Sequence, residues 1–132
     1  MIKFILNCTI IIMVLLGLLF STSPLANEYR KIQMETTKFG MQVVLTAQQC
    51  MGGELAVIML KASELVTSSE PCLLYLVQIS ASDADKILIT EVWESQQAHQ
   101  ASLANPEVLA LIGKAKPLIS DMSHQLGTPL NM

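Results

Sequence analysis

Apolar residues recur at regular spacing along most of the chain after residue 40, and this spacing predicts strands and helices. Apolar side chains occupy alternate positions of Met41–Gln48, which predicts a half-buried strand. They recur at helical spacing over Gly53–Thr67, and Pro71 follows the end of that helix. Cys72–Ile79 is more continuously apolar, which predicts a central strand covered on both faces, and Lys86–Trp93 is the next strand.

The remaining third of the chain predicts two helices and a final strand. Ser95 can cap a short helix that reaches Asn105. Asn105 followed by Pro106 is a start signal for a second helix, which Pro117 ends. A strand ending at Gly127 follows, with three alternating side chains on one face: Met122, His124 and Leu126. The order β-α-β-β-α-α-β indicates an α+β, ferredoxin-like fold with a four-stranded antiparallel sheet and helices on one face.

The N-terminal segment differs from the rest in composition. A positively charged start, an apolar stretch over 4–20 and a small-residue segment ending at Ala26 are typical of a secretory signal peptide. We therefore expect residues 1–26 to be cleaved and the protein to be exported, to the periplasm or the medium. The alternative is an uncleaved segment that anchors the protein to the membrane. Residues 27–40 are expected to form a lead-in without defined structure, and 41–132 to form the domain.

Charge and composition exclude several classes of partner. The 132-residue chain has a net charge of −3 and no run of Lys or Arg, which argues against nucleic acid or an anionic membrane surface as partner. Its 52% hydrophobic content argues against disorder.

The histidines and cysteines do not fall at zinc spacing, so no metal is expected. A helix separates Cys50 from Cys72, so a disulfide between them is not expected.

The third predicted strand is apolar on both sides. Ile87, Ile89, Glu91 and Trp93 share one side, and Leu88, Thr90 and Val92 share the other. Helices can cover only one side of the sheet. The uncovered side is expected to line a pocket, a dimer interface, or both.

The stretch 70–118 resembles the antibiotic biosynthesis monooxygenase (ABM) domain, including its quinol-monooxygenase-like members. The matching residues are Glu70-Pro71-Cys72-Leu73-Leu74-Tyr75, Glu91-Val92-Trp93-Glu94-Ser95, Ala98, Leu103, Asn105-Pro106 and Lys116-Pro117-Leu118. The resemblance implies a dimeric α+β barrel with an apolar cavity between sheet and helices in each subunit. It also implies oxygenation of a small aromatic or quinol substrate by O₂ without a cofactor; a related branch of the family degrades haem.

The resemblance also implies candidate site residues. Trp93 matches a tryptophan that lies near the cavity in several members, and Tyr75 and Glu91 could reach the same cavity. The family often has a histidine where this chain has Ser102, and another where it has Glu107. His99 lies one helical turn before Ser102 and could face the cavity instead. The candidates are therefore His99 and Glu91 as catalytic residues, with Trp93, Tyr75 and Ser102 binding the substrate.

Each candidate also has a structural interpretation. Trp93 can be a packing residue, His99 a solvent-facing one, and His124 an interior or interface histidine. Glu91 is either paired across a dimer interface, which the pattern favours, or a base with a raised pKa. The function expected is an exported, homodimeric ABM-type monooxygenase. The alternative is a non-catalytic dimeric barrel that binds a hydrophobic ligand or haem.

Overall fold

The computed structural model describes residues 24–35, 38–69 and 71–132. All but the last three residues of the predicted signal peptide lie outside this range, as does Glu70 of the matching motif. The first described element is helix α1 (Pro24–Glu35), which belongs to a unit separate from the domain that begins at Thr36. A helix therefore occupies much of the segment 27–40 that was expected to lack defined structure. Among the described residues, no helix combines the length and the apolar character needed to cross a bilayer.

The domain has the predicted α+β, ferredoxin-like order. Its elements are β1 (Phe39–Ala47), α2 (Gly52–Thr67), β2 (Cys72–Ile79), β3 (Lys86–Trp93), α3 (Gln96–Leu103), α4 (Pro106–Ala115), a 3₁₀ turn (Lys116–Leu118) and β4 (Ile119–Gly127). The four strands form one antiparallel sheet in the order β2-β3-β1-β4. β1 begins two residues earlier, and β4 three residues earlier, than the apolar alternation indicated.

Helix α2 supplies most of the core on one face of the sheet. Its buried side chains recur three and four residues apart: Leu55, Ala56, Ile58, Met59, Ala62 and Val66. The first four of these pack against alternate residues of the two central strands, among them Val43 and Leu45 of β1 and Ile87 and Ile89 of β3. Because Val43 pairs with Ile89, these residues lie on the same face of the sheet.

The prediction that Cys72–Ile79 is a central strand is wrong. β2 pairs only with β3 and forms an edge of the sheet, and Leu76 and Ile79 are exposed. Its continuous apolar character has a different cause on each face. Tyr75 and Val77 pack towards the core beneath α2, whereas Leu74 and Leu76 lie on the face without helices.

The face without helices is divided in polarity. Its apolar part comprises Leu74, Leu76, Leu88 and Val92 on β2 and β3, and its polar part comprises Asp121, Ser123 and Gln125 on β4. β4 is an edge strand on which every residue after Ile119 is exposed. The apolar part remains a candidate protein interface.

A carboxylate fixes the turn between β1 and α2. Asp85 accepts hydrogen bonds from the backbone N–H groups of Cys50 and Gly52, both at 2.9 Å, and these bonds lower the pKa of Asp85. Cys50 has a positive φ of 64°, a left-handed conformation that few residues other than glycine adopt. Asp85 therefore satisfies free N–H groups at the start of α2 from a distant part of the chain.

We predict that Gly52→Ala unfolds at a markedly lower denaturant concentration than the parent protein. A Cβ atom at Gly52 would overlap the carbonyl group of Ala84, so the backbone beside Asp85 would have to move. We expect a loss of at least about 2 kcal/mol in the free energy of unfolding, measured by urea denaturation.

Gly53→Ala is the matched control, because a Cβ atom there meets nothing within 4 Å. Gly53 lies within α2, so its replacement should stabilise the protein by up to about 1 kcal/mol. Equal effects of the two substitutions would contradict the close approach of Gly52 to Ala84.

Candidate active site

A cavity of about 740 Å³ lies between the sheet and the helices. This cavity is on the face of the sheet that the helices cover, where the resemblance to the ABM domain places it. A second cavity, of about 430 Å³, is lined by residues of the uncovered face, among them Leu74, Thr90 and Val92. The apolar lining of the larger cavity includes Met41, Val43 and Ile89 from the sheet and Val108, Leu111 and Ile112 from α4. The volume and the apolar lining are typical of sites that bind small organic molecules.

The cavity exists because α4 packs mainly against α2 and not against β4. Only Val108 and Ala115 of α4 are buried, while Ile112 is 41% exposed and lines the cavity instead of filling it. The side chains of β4 that face the helices, including Met122, are exposed for the same reason. The cavity is therefore open towards the β4 edge of the sheet.

Glu91 is buried on the cavity face of β3 and is only 5% exposed. Residues two apart on a strand face the same side, so Trp93 lies beside it. The Trp93 indole Nε1–H donates a hydrogen bond of 3.0 Å to Glu91 Oε2. Burial raises the pKa of Glu91, and the indole hydrogen bond opposes this by favouring the ionised form.

His99 is brought to Glu91 by helix α3. Ser95 caps this helix by accepting a hydrogen bond from Ala98 N–H, and His99 follows in the first turn. His99 Nε2 lies 3.7 Å from Glu91 Oε2, and the imidazole contacts the rings of Trp93 and Phe39. Burial lowers the pKa of His99, so the ring is neutral at neutral pH and the contact with Glu91 is not an ion pair.

The phenol of Tyr75 and the hydroxyl of Ser102 also line this end of the cavity. Tyr75 pairs with Glu91 across β2 and β3, and burial, together with the Glu91 charge, raises the pKa of its phenol. The Ser102 hydroxyl donates to the His99 carbonyl oxygen at 2.7 Å, so it is engaged by its own helix. Tyr75 therefore remains a neutral hydrogen-bonding group near Glu91.

The structure brings together all five candidate residues: Tyr75, Glu91, Trp93, His99 and Ser102. His99 faces the cavity, with a side chain only 13% exposed, and the interpretation that it faces solvent is wrong. Glu91 finds its partners within its own chain, so the favoured interpretation of a pair across a dimer interface is also replaced. His124 lies on the exposed edge strand β4, lining the open side of the cavity, and is not interior.

Sequence reasoning missed two residues near the site. Phe39 contacts His99 but lies before the predicted start of β1, although the alternation of Met41 and Val43 extends back to it. Lys116 lines the cavity, whereas the sequence analysis named it only as part of the motif Lys116-Pro117-Leu118. Within the described part of the chain, no three His, Cys, Asp or Glu side chains come close enough to hold a metal ion. In the same part, Cys50 and Cys72 are free thiols.

Comparison with known proteins identifies relatives of one family. The family model for antibiotic biosynthesis monooxygenase matches residues 45–114. No curated protein matches the chain significantly. A structure from Chloroflexus aurantiacus whose name places it in the same family is 31% identical; the match covers 72% of this chain and 95% of that one, with a TM-score of 0.66.

Two further structures support the fold. One from Deinococcus radiodurans, also named as a member of the family, is 26% identical over 71% of this chain and 97% of that one, with a TM-score of 0.62. The other is a single-substitution mutant of SnoaB, a cofactor-independent oxygenase from Streptomyces nogalater. It is 13% identical over 74% of this chain and 97% of that one, with a TM-score of 0.64, a likeness that concerns the fold alone.

We predict that Glu91→Gln stabilises the protein at pH 8 and not at pH 4. The raised pKa of Glu91 means that the folded state binds its proton more tightly than the unfolded state does. Glu91 therefore costs stability as the pH rises above its ordinary value of 4.5, and Gln removes that cost while keeping an acceptor for Trp93. We expect Glu91→Gln to unfold at a higher temperature than the parent at pH 8 and to show no such gain at pH 4, measured by thermal unfolding at both pH values.

Glu64→Gln serves as the control, because Glu64 is an exposed carboxylate on α2. The difference in unfolding temperature between this variant and the parent should be much the same at the two pH values. A Glu91→Gln protein that is less stable than the parent at pH 8 would contradict the assigned cost of the buried charge.

Proposed function

Because the chain belongs to the antibiotic biosynthesis monooxygenase family, we propose that it is a cofactor-independent monooxygenase that oxidises a small aromatic substrate, a quinol or an anthrone, with O₂. The observation that carries this proposal is the cluster of Glu91, Trp93 and His99 at one end of an apolar cavity. Such a cluster can remove a proton from a bound phenol or an activated methylene group. The apolar lining keeps water from the reactive anion.

His99 is the base that the geometry favours. A neutral imidazole can accept a proton, and His99 lines the cavity with its Nε2 atom 3.7 Å from Glu91 Oε2. The imidazolium that forms would be stabilised by the carboxylate 3.7 Å away. Trp93 holds the carboxyl group in place through its indole N–H, so Trp93 is a positioning residue as well as a wall of the cavity.

The reaction needs no metal or flavin in this scheme because the substrate supplies the electrons. The deprotonated substrate transfers one electron to O₂, the two radicals combine, and a carbon–oxygen bond forms as a peroxide. Cleavage of the O–O bond then leaves one oxygen atom on the carbon as a carbonyl group. The second oxygen atom leaves as water, so a CH₂ group and O₂ become a C=O group and H₂O.

We also propose that the protein is exported and works as a homodimer. Support for export is the pattern of residues 1–26. Support for the dimer is the apolar part of the uncovered sheet face, where Leu76 is exposed and Leu74 and Leu88 are half-buried. Light scattering on the mature protein at micromolar concentration tests the dimer. A mass corresponding to one subunit would contradict it.

We predict that His99→Gln lowers kcat for anthrone oxidation by about 10² or more, because general-base catalysis contributes roughly this factor. Turnover is followed by O₂ uptake and by mass spectrometry of the product formed under ¹⁸O₂. Gln100→Ala is the control on the same helix, since Gln100 is exposed and lies outside the cavity lining. An absence of ¹⁸O incorporation across a panel of quinols and anthrones would favour the non-catalytic alternative.

We predict that the acid limb of kcat/KM lies below pH 6.5. His99 acts when it is neutral, and burial lowers its pKa from that ordinary value, so it stays active in more acidic solution than a free histidine would. The limb should disappear in His99→Gln. A limb at or above pH 6.5 would contradict His99 as the buried base.

A further inference from the structure

Helix α3 brings His99 to the cavity but does not by itself fix the orientation of the imidazole ring. No residue of this eight-residue helix is buried, so little packing holds the helix against the sheet. His99 Nε2 lies 3.7 Å from Glu91 Oε2, farther than a hydrogen bond reaches, and that oxygen already accepts the bond from the Trp93 indole N–H. The position of the imidazole therefore depends on the side chains packed against it.

Two aromatic rings contact the imidazole of His99. The ring centroids of Phe39 and His99 lie 5.2 Å apart with the planes tilted by 35°, and those of Trp93 and His99 lie 5.5 Å apart in an edge contact at 69°. Both separations fall in the range in which aromatic rings attract each other. Phe39 is the first residue of β1 and pairs with Trp93 of β3, so the two side chains project from the same face of the sheet.

The two rings differ in their relation to the cavity. Trp93 lines the cavity and donates to Glu91, so it is part of the site itself. Phe39 is not among the described residues that line the cavity; it is half-buried and packs against the core cluster that contains Trp93. Phe39 therefore reaches the chemistry through its packing against His99 and Trp93, and not through contact with a bound substrate.

We propose, resting on the function proposed above, that Phe39 is a positioning residue: its ring packs against the His99 imidazole and holds Nε2 beside Glu91, where it can accept the substrate proton. Without this contact the imidazole can rotate about its side-chain torsions, and Nε2 spends less time in that position. A base must be held within about 0.5 Å of its productive position to act efficiently. The start of β1 is thereby linked to the rate of proton transfer.

Two substitutions of Phe39 test the proposal by steady-state kinetics with an anthrone as substrate. Phe39→Leu removes the ring and keeps an apolar side chain in the core, whereas Phe39→Tyr keeps the ring. We expect Phe39→Leu to lower kcat about tenfold and to leave KM within about twofold of the parent value, because Phe39 does not belong to the described cavity lining. Phe39→Tyr should keep kcat within about threefold of the parent value. An unchanged kcat in Phe39→Leu, or a Phe39→Tyr protein as slow as Phe39→Leu, would overturn the proposal.

Leu65→Ala is the matched control for loss of packing. Leu65 of α2 packs against the same core cluster as Phe39, and it is likewise not among the described residues that line the cavity. This variant should unfold at a lower temperature than the parent, because a large side chain in the core has become a small one, and it should keep the parent value of kcat. A fall in kcat equal to that of Phe39→Leu would assign the effect to general loosening of the core and contradict the positioning role.

Proton NMR of the resting protein separates this inference from the proposed function, because it needs no turnover. In the parent and in Phe39→Tyr, nuclear Overhauser contacts should join the His99 ring to the Trp93 indole, since the two ring centroids lie 5.5 Å apart. In Phe39→Leu these contacts should be clearly weaker. If they weaken but no substrate incorporates ¹⁸O, the oxygenase function fails and the placement of His99 by Phe39 stands. If the parent protein turns over and the contacts are unchanged in Phe39→Leu, the placement by Phe39 fails and the oxygenase function stands.

Discussion

Burial of a carboxyl group on the apolar face of a sheet costs free energy unless that group has a hydrogen-bond partner. The arrangement of this site follows from the hydrogen bond that Glu91 accepts. The indole N–H of Trp93 gives it that partner at 3.0 Å. The side chain of Trp93 is only 1% exposed and packs with Val66, Cys72 and Val108. The same indole therefore holds the carboxyl group of Glu91 in one position against the core. His99 on α3 then packs beside a carboxyl group whose position is fixed.

This arrangement links packing to chemistry. Burial raises the pKa of Glu91 and lowers that of His99, so both pKa values move in the direction that reduces charge. A neutral imidazole beside a carboxyl group is a base whose protonated form has a counter-ion within reach. Burial of the two side chains accounts for the direction of both pKa shifts. The cavity remains unfilled because α4 packs against α2 and leaves β4 exposed.

The element order and the cavity face of β3 could be predicted from periodicity, because a period of two fixes which residues lie beside Glu91. The order of the strands in the sheet could not be predicted. An edge strand such as β2 is apolar on both faces when its inner face packs against a helix and its outer face is left uncovered, so its sequence resembles that of a central strand. His99 was ambiguous because α3 is rich in glutamine and has no buried residue, so its inward face has no apolar signature. The bonds from Cys50 and Gly52 to Asp85 join residues 35 and 33 positions apart, which no local pattern reveals.

The protonation states of His99 and Glu91 are the central claim, and an NMR titration of the folded protein measures both. With ¹⁵N-labelled histidine and tryptophan, the ring nitrogens of His99 report its own titration, and the Trp93 indole N–H reports the ionisation of Glu91. The account predicts a His99 pKa below 6.5 and an indole shift with a midpoint above pH 4.5. A His99 pKa above 6.5, or an indole signal that does not respond to ionisation of Glu91, would contradict it.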